Sequence, residues 1–221
     1  MKILVRVIIA FLLAPAALRA QVPVNAAPQP IASDSAAAAL LVDVRSIDST
    51  IVVDARYFGP NNFTGAPLPG YGANRALLRR EAAEALARVQ RRLAAAGLGL
   101  KVFDGYRPVR ATLAMVDWAE GTGRRHLLDD GYIARRSRHN QGVAVDLTIV
   151  ELTKGTELPM GTPFDTFSEA AHTANATGDV KRNREMFVRV MQSEGFTNYD
   201  QEWWHFFFAV PDPVPFDLPI R

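Results

Sequence analysis

The hydrophobic positions along the chain change period several times, and each change predicts an element. Val7–Leu18 is a continuous apolar run of twelve residues, interrupted by Pro15, with Lys2 and Arg6 before it and the small residues Ala16, Ala17 and Ala20 at its end. Twelve residues are too few to cross a bilayer. The basic start and small-residue close predict a secretory signal peptide over residues 1–20, the competing expectation being an N-terminal anchor. Residues 21–40 are rich in Ala, Pro, Ser and Gln without apolar periodicity, and predict a flexible lead-in. The folded part, residues 41–221, is expected to begin near Leu41.

Ser49–Tyr57 is β-branched and predicts a strand. Residues 58–73, full of Gly, Pro and Asn, predict a long loop. A helix is then expected from a cap at Asn74 to Ala96. Leu77, Leu78, Leu86, Val89 and Leu93 form its apolar face, and Gly97 ends it. Leu100–Phe103 predicts a short strand, and Pro108 opens a second helix reaching Gly121. From Val143 to Val150 the chain alternates, with Val143, Val145, Leu147 and Ile149 on one face and Ala144, Asp146 and Thr148 on the other. A second long loop over 151–180, a helix over Arg182–Glu194 and an apolar strand over Trp203–Val210 complete the pattern. Strands and helices mix without a βαβ rhythm. The expected class is therefore α+β, with a mainly antiparallel central sheet flanked by helices.

Three segments carry polar residues that this packing does not require. In SRHNQGVAVDLT (137–148), Asp146 sits mid-strand among apolar neighbours, where a carboxylate is costly unless paired or metal-bound. In EWWHF (202–206), Glu202 and His205 lie within the most aromatic stretch of the chain. Residues three apart on a regular strand face opposite sides, so both can serve one site only if the chain turns around Glu202 and Trp203. His139, Asp146 and His205 together make a two-histidine, one-carboxylate set. Three protein ligands leave a tetrahedral position open, which suits a catalytic zinc, although the same donors suit Fe(II). Glu202 is the candidate proton acceptor. In FDGYRP (103–108), Arg107 offers either a guanidinium for a developing oxyanion or a salt bridge to Asp104. The plainer alternatives are a capping aspartate, a surface histidine and a hydrogen-bonded core histidine.

Composition narrows the chemistry. With no cysteine in the chain, disulfides, thiolate metal sites and a Cys nucleophile are excluded. The formal net charge is +2, but three of the 25 basic residues (Lys2, Arg6 and Arg19) lie in the first twenty positions. The remainder has 22 basic residues against 23 acidic, which removes the basic excess expected of a nucleic-acid partner. The apolar share of 48% supports a buried core and excludes general disorder.

DGYRP, SxHxxGxAxD and ExWH, in that order along the chain, together resemble the D-alanyl-D-alanine dipeptidases, the VanX-type zinc peptidases. NNFTG (61–65), MGTPFD (160–165) and PFDLPI (215–220) agree, and the similarity spans residues 42–221. The resemblance implies the α+β fold shared with zinc D,D-carboxypeptidases and the hedgehog signalling domain. It implies one Zn2+ per chain on His139, Asp146 and His205, Glu202 as general base and acid, and Arg107 steadying the tetrahedral intermediate. Ser137 and Asp165 match positions that hold the substrate's amino end. The implied partner is a small dipeptide, with no nucleic acid and no membrane span once the signal is removed. The signal peptide places the protein outside the cytoplasm, in the periplasm, and so favours peptidoglycan-peptide turnover over glycopeptide resistance. The alternatives are a D,D-carboxypeptidase or other wall peptidase of the same fold, or a non-catalytic zinc-binding module. His126 and His172 match no motif and are assigned no role.

Overall fold

The computed structural model describes residues 31–221. The expected signal peptide and the first part of the lead-in lie outside the described residues. In chain order the elements are α1 (Asp34–Leu40), β1 (Leu41–Asp43), α2 (Val44–Ile47), β2 (Val52–Val53), β3 (Leu77–Arg79), α3 (Arg80–Ala94), β4 (Leu98–Asp104), α4 (Val109–Gly121), α5 (His126–Asp129), β5 (Ala144–Glu151), α6 (Gly178–Gln192), β6 (Phe196–Asn198) and β7 (His205–Phe208). Five strands form the central sheet in the order β2-β4-β5-β7-β6. Only the β2–β4 pair is parallel, so the sheet is mainly antiparallel as expected. A separate ribbon pairs β1 with β3.

Helices α3 and α6 cover one face of this sheet. Val145, Leu147 and Ile149 of β5 pack with Leu86 and Val89 of α3 and with Phe187 and Met191 of α6. A second cluster joins Met115 and Val116 of α4 to Tyr57, Tyr71, Tyr106 and Phe216. Covered on both sides, β5 is buried from Ala144 to Val150. The predicted alternation therefore separates two buried faces rather than core from solvent, and the face bearing Asp146 turns away from α3 and α6.

Several boundaries differ from the expectation. Residues 34–40 are not a flexible lead-in but the helix α1. Ser33 caps it by accepting the Ala36 N–H at 3.2 Å, the alanine run supplies high propensity, and Ala37 is fully buried. Asn74 caps no helix. Its side chain instead accepts the Ala55 N–H at 2.8 Å and donates to the Val53 carbonyl at 3.2 Å, while Leu77–Arg79 forms a strand and α3 starts at Arg80. The predicted strand over Ser49–Tyr57 shrinks to Val52–Val53, because the chain enters a 3-10 turn at Arg56–Phe58 that buries Tyr57. The final strand begins at His205, with Trp203 and Trp204 buried in the turn before it. α6 starts at Gly178, four residues before the predicted Arg182.

Candidate active site

The sheet register assembles the site. Asp104 of β4 pairs with Asp146 of β5, which pairs with His205 of β7, so three chemically active residues stand side by side across three strands. Residues directly opposed in antiparallel strands project from the same face. The register shifts between Val102 and Asp104, an irregularity that brings Asp104 into this row.

His139 reaches the row from a 3-10 turn over Arg138–Gln141. The Ser137 hydroxyl accepts the His139 N–H at 3.2 Å, and the Ser137 N–H donates to the Asn140 side chain at 3.1 Å. The Asn140 amide also donates to the Arg107 carbonyl and the Thr112 hydroxyl, at 2.9 and 2.8 Å. Gly142 ends the turn at φ 67°, and a Cβ there would lie 2.4 Å from the Leu41 side chain. His139 Nδ1 lies 2.6 Å from the Gly105 carbonyl, which assigns it as the donor and leaves Nε2 as a lone pair facing the row. Gly105 itself is pressed against the Leu77 carbonyl, with only 2.6 Å left for a Cβ.

The turn required around Glu202 is present. Tyr199 N–H donates to the His205 carbonyl and His205 N–H to the Glu202 carbonyl, at 3.0 and 3.2 Å. The Asn198 side chain donates to both the Glu202 and His205 carbonyls and clamps the loop. Glu202 Oε2 thereby comes to 3.8 Å from His205 Nδ1.

Donor atoms of His139, Asp146 and His205 all lie within 4.8 Å of one another. His139 Nε2 and His205 Nδ1 are 3.1 Å apart, and Asp146 meets them at 3.3 and 2.9 Å. Burial lowers the His205 pKa against the pull of Asp146, which favours the neutral, ligating imidazole. Burial works against the Asp146 carboxylate, but the two histidines outweigh it and hold its pKa well below the usual range. Burial pushes Glu202 well above the carboxylate range, with repulsion from Asp146 and Asp165 added. It likewise raises Asp104 and Asp165. Four carboxyl groups thus share this region with the half-buried guanidinium of Arg107. Convergent nitrogen and oxygen lone pairs in an acid-rich pocket fit a divalent transition-metal ion.

Arg107 makes the salt bridge to Asp104 and also lines the cleft. Its Nε and Nη2 bind Asp104 at 3.0 and 2.9 Å, Nη2 reaches Asp146 at 3.7 Å, and the guanidinium carbon lies 5.1 Å from the Tyr57 ring centre while facing the cleft. Asp104 does more than neutralise it. The carboxylate also accepts the Tyr71 hydroxyl at 2.6 Å and lies 3.4 Å from His139 Nδ1. Asp165, at φ 60°, accepts the Tyr57 hydroxyl at 3.1 Å. Ser137 and Asp165 both line the cleft of about 1070 Å3 in which the donor set sits. His172 lies on its rim, 3.2 Å from the Tyr132 hydroxyl, whereas His126 starts α5 elsewhere. Tyr57, Tyr71, Asn140 and Asn198 carry no local signal of these roles, because their partners come from distant parts of the chain.

A two-histidine, one-carboxylate cluster flanked by a buried glutamate and a half-buried arginine, on a mainly antiparallel α+β sheet, defines the class as metallopeptidase. Residues 37–213 match the peptidase M15 family model described as D-Ala-D-Ala dipeptidase. The D-alanyl-D-alanine dipeptidase of Enterococcus faecium is 36% identical over 187 residues, covering 76% of this chain and 92% of that protein. Its namesake in Streptomyces coelicolor is 36% identical over 197 residues, covering 80% and 96%. A solved vancomycin-resistance D,D-dipeptidase in complex with a D-Ala-D-Ala phosphinate analogue overlaps more loosely, at 18% identity and a TM-score of 0.39, covering 78% and 68%. The chain belongs to the D-Ala-D-Ala dipeptidase family and is a peptidase. Among the described residues, no helix is long and apolar enough to cross a membrane.

Proposed function

We propose that this protein hydrolyses free D-Ala-D-Ala with one zinc ion per chain, held by His139, Asp146 and His205. The convergence of these three donors beside Glu202 is the observation that carries the reading. When bound, such an ion supplies a Lewis acid that polarises the scissile carbonyl and acidifies water.

The chain's own residues do the rest. Glu202 takes the proton of the water whose oxygen bonds to the carbonyl carbon. Its desolvation raises its proton affinity, as a base requires. As the C–N bond breaks, Glu202 returns that proton to the leaving amine nitrogen. Arg107, fixed by Asp104, stands beside the donor row, where its charge offsets the oxyanion. Asp165 receives the substrate's ammonium group. Ser137 lines the same cleft, and its hydroxyl fixes the turn carrying His139. A free dipeptide is charged at both ends, and a site fitted to those charges disfavours longer chains, which would leave its charged groups unpaired.

The apolar run at the N-terminus and its small-residue close support export to the periplasm, where the substrate pool is peptidoglycan peptides. One observation favours a second reading. The cleft volume of about 1070 Å3 exceeds what a dipeptide fills and would admit an acylated wall peptide.

Amine release from free D-Ala-D-Ala and from an N-acylated D-Ala-D-Ala peptide, each with and without zinc, separates the two. Zinc-dependent cleavage of the free dipeptide alone is expected. Cleavage of the acylated peptide would replace the dipeptidase assignment with a carboxypeptidase. No cleavage of either would favour the binding module.

A further inference from the structure

Arg138 opens the turn that carries His139 but takes no part in the chemistry above. Its guanidinium carbon stands 3.8 Å from the ring centre of Phe207, and both side chains line the cleft. Phe207 lies two residues beyond His205 on β7, so the two share a face of the sheet. The guanidinium is thus stacked one row along from Asp104, Asp146 and His205. Among the described residues no carboxylate lies within ion-pair distance of it, whereas Arg107 is tied to Asp104. Arg138 is exposed, so the stacked guanidinium can accept an anion from a ligand that enters the cleft.

Charged groups stand on two sides of the cleft. Asp165, Tyr57 and Arg107 gather on the β4 side through the contacts with Asp104. Arg138 lies on the β7 side, with β5 between. Two strand spacings are roughly 10 Å. An extended dipeptide spans about 7 Å, leaving room for hydrogen bonds at its ends. An ammonium group at Asp165 therefore directs the other terminus towards Arg138.

We propose that Arg138 is the specificity residue that receives the substrate's terminal α-carboxylate, held flat by Phe207 for a two-pronged contact. This rests on the dipeptidase reading above. It makes Arg138 the group that rejects peptides whose C-terminus is blocked or extended, since they would leave its charge unpaired.

The test is steady-state hydrolysis of D-Ala-D-Ala and of its C-terminal amide by the zinc-loaded wild type, Arg138→Met and Arg138→Lys, with melting temperatures measured alongside. The wild type is expected to prefer the free acid by about 10- to 100-fold in kcat/KM, the range of one charge-assisted contact. Arg138→Met is expected to lose that preference, mainly through KM, without a change in melting temperature, and to match the wild type on the amide. Arg138→Lys keeps the charge but not the fork and is expected to fall between. Should Arg138→Met melt early, the intermediate preference of Arg138→Lys decides. Equal use of acid and amide by the wild type, or an undiminished preference in the variants, would overturn the assignment while leaving the dipeptidase reading intact. A wild type that cleaves neither substrate would overturn both.

Discussion

Asp104 is a buried carboxylate that holds other residues of the site in place. It holds Arg107 through two nitrogens, accepts the Tyr71 hydroxyl and stands beside His139 Nδ1. Asp104→Asn keeps the shape and removes the charge. It is expected to weaken zinc binding by about 10- to 100-fold, the cost typical of losing an outer-shell partner, as read by competition with a chromophoric chelator. Glu202→Gln, in contrast, is expected to bind zinc normally and to lose about 10²–10⁴ in kcat, the usual worth of a positioned acid–base group. Full activity in that variant would remove Glu202 from the chemistry. His139, Asp146, His205, Glu202 and Arg107 were legible in the sequence because each is a polar residue in an apolar or turn setting that makes it expensive. Asp104 was legible only as a salt-bridge partner. Tyr57, Tyr71 and Asn198 were not legible, since an aromatic or amide residue looks the same in sequence whether or not a distant acceptor awaits it.

At the scale of elements, two connections do most of the positioning. Gly142 lets the His139 turn run straight into β5. Gly142→Ala adds both an unfavourable φ and a clash with Leu41, and is expected to cost roughly 2 kcal/mol or more, measured by urea unfolding. The joint between α3 and the end of α6 is electrostatic. Glu194 accepts Arg88 Nε at 2.7 Å and also binds Arg92, and these hydrogen bonds hold its pKa below the ordinary 4.5. A lowered carboxylate pKa contributes stability above its unfolded value and loses it as pH falls through the folded value. The stability gap between wild type and Glu194→Gln is therefore expected at neutral pH and should close below about pH 4.5; a pH-independent gap would contradict it. Helix periods were readable because α3 and α4 bury whole apolar faces. Boundaries were less so. β3 and α1 depend on pairing and packing with remote residues, and the strand predicted over Ser49–Tyr57 yields to the burial of Tyr57.

For the molecule as a whole, a mainly antiparallel sheet covered by α3 and α6 on one side leaves its opposite face to carry the donor row. The α+β class followed from the mixed order of elements. The cleft did not, because the 3-10 turns and loops around it have no periodicity to read. A metal ion held by His139, Asp146 and His205 would tie β5, β7 and the His139 turn together. Zinc is therefore expected to raise the melting temperature of chelator-stripped protein, and His205→Ala to abolish that rise. The most direct measurement is a zinc titration of stripped protein while amine release from D-Ala-D-Ala is followed. Activity should be absent at first, rise in proportion to added zinc, and level off at one ion per chain. Full hydrolysis before any zinc is added, or none at any zinc load, would contradict the account.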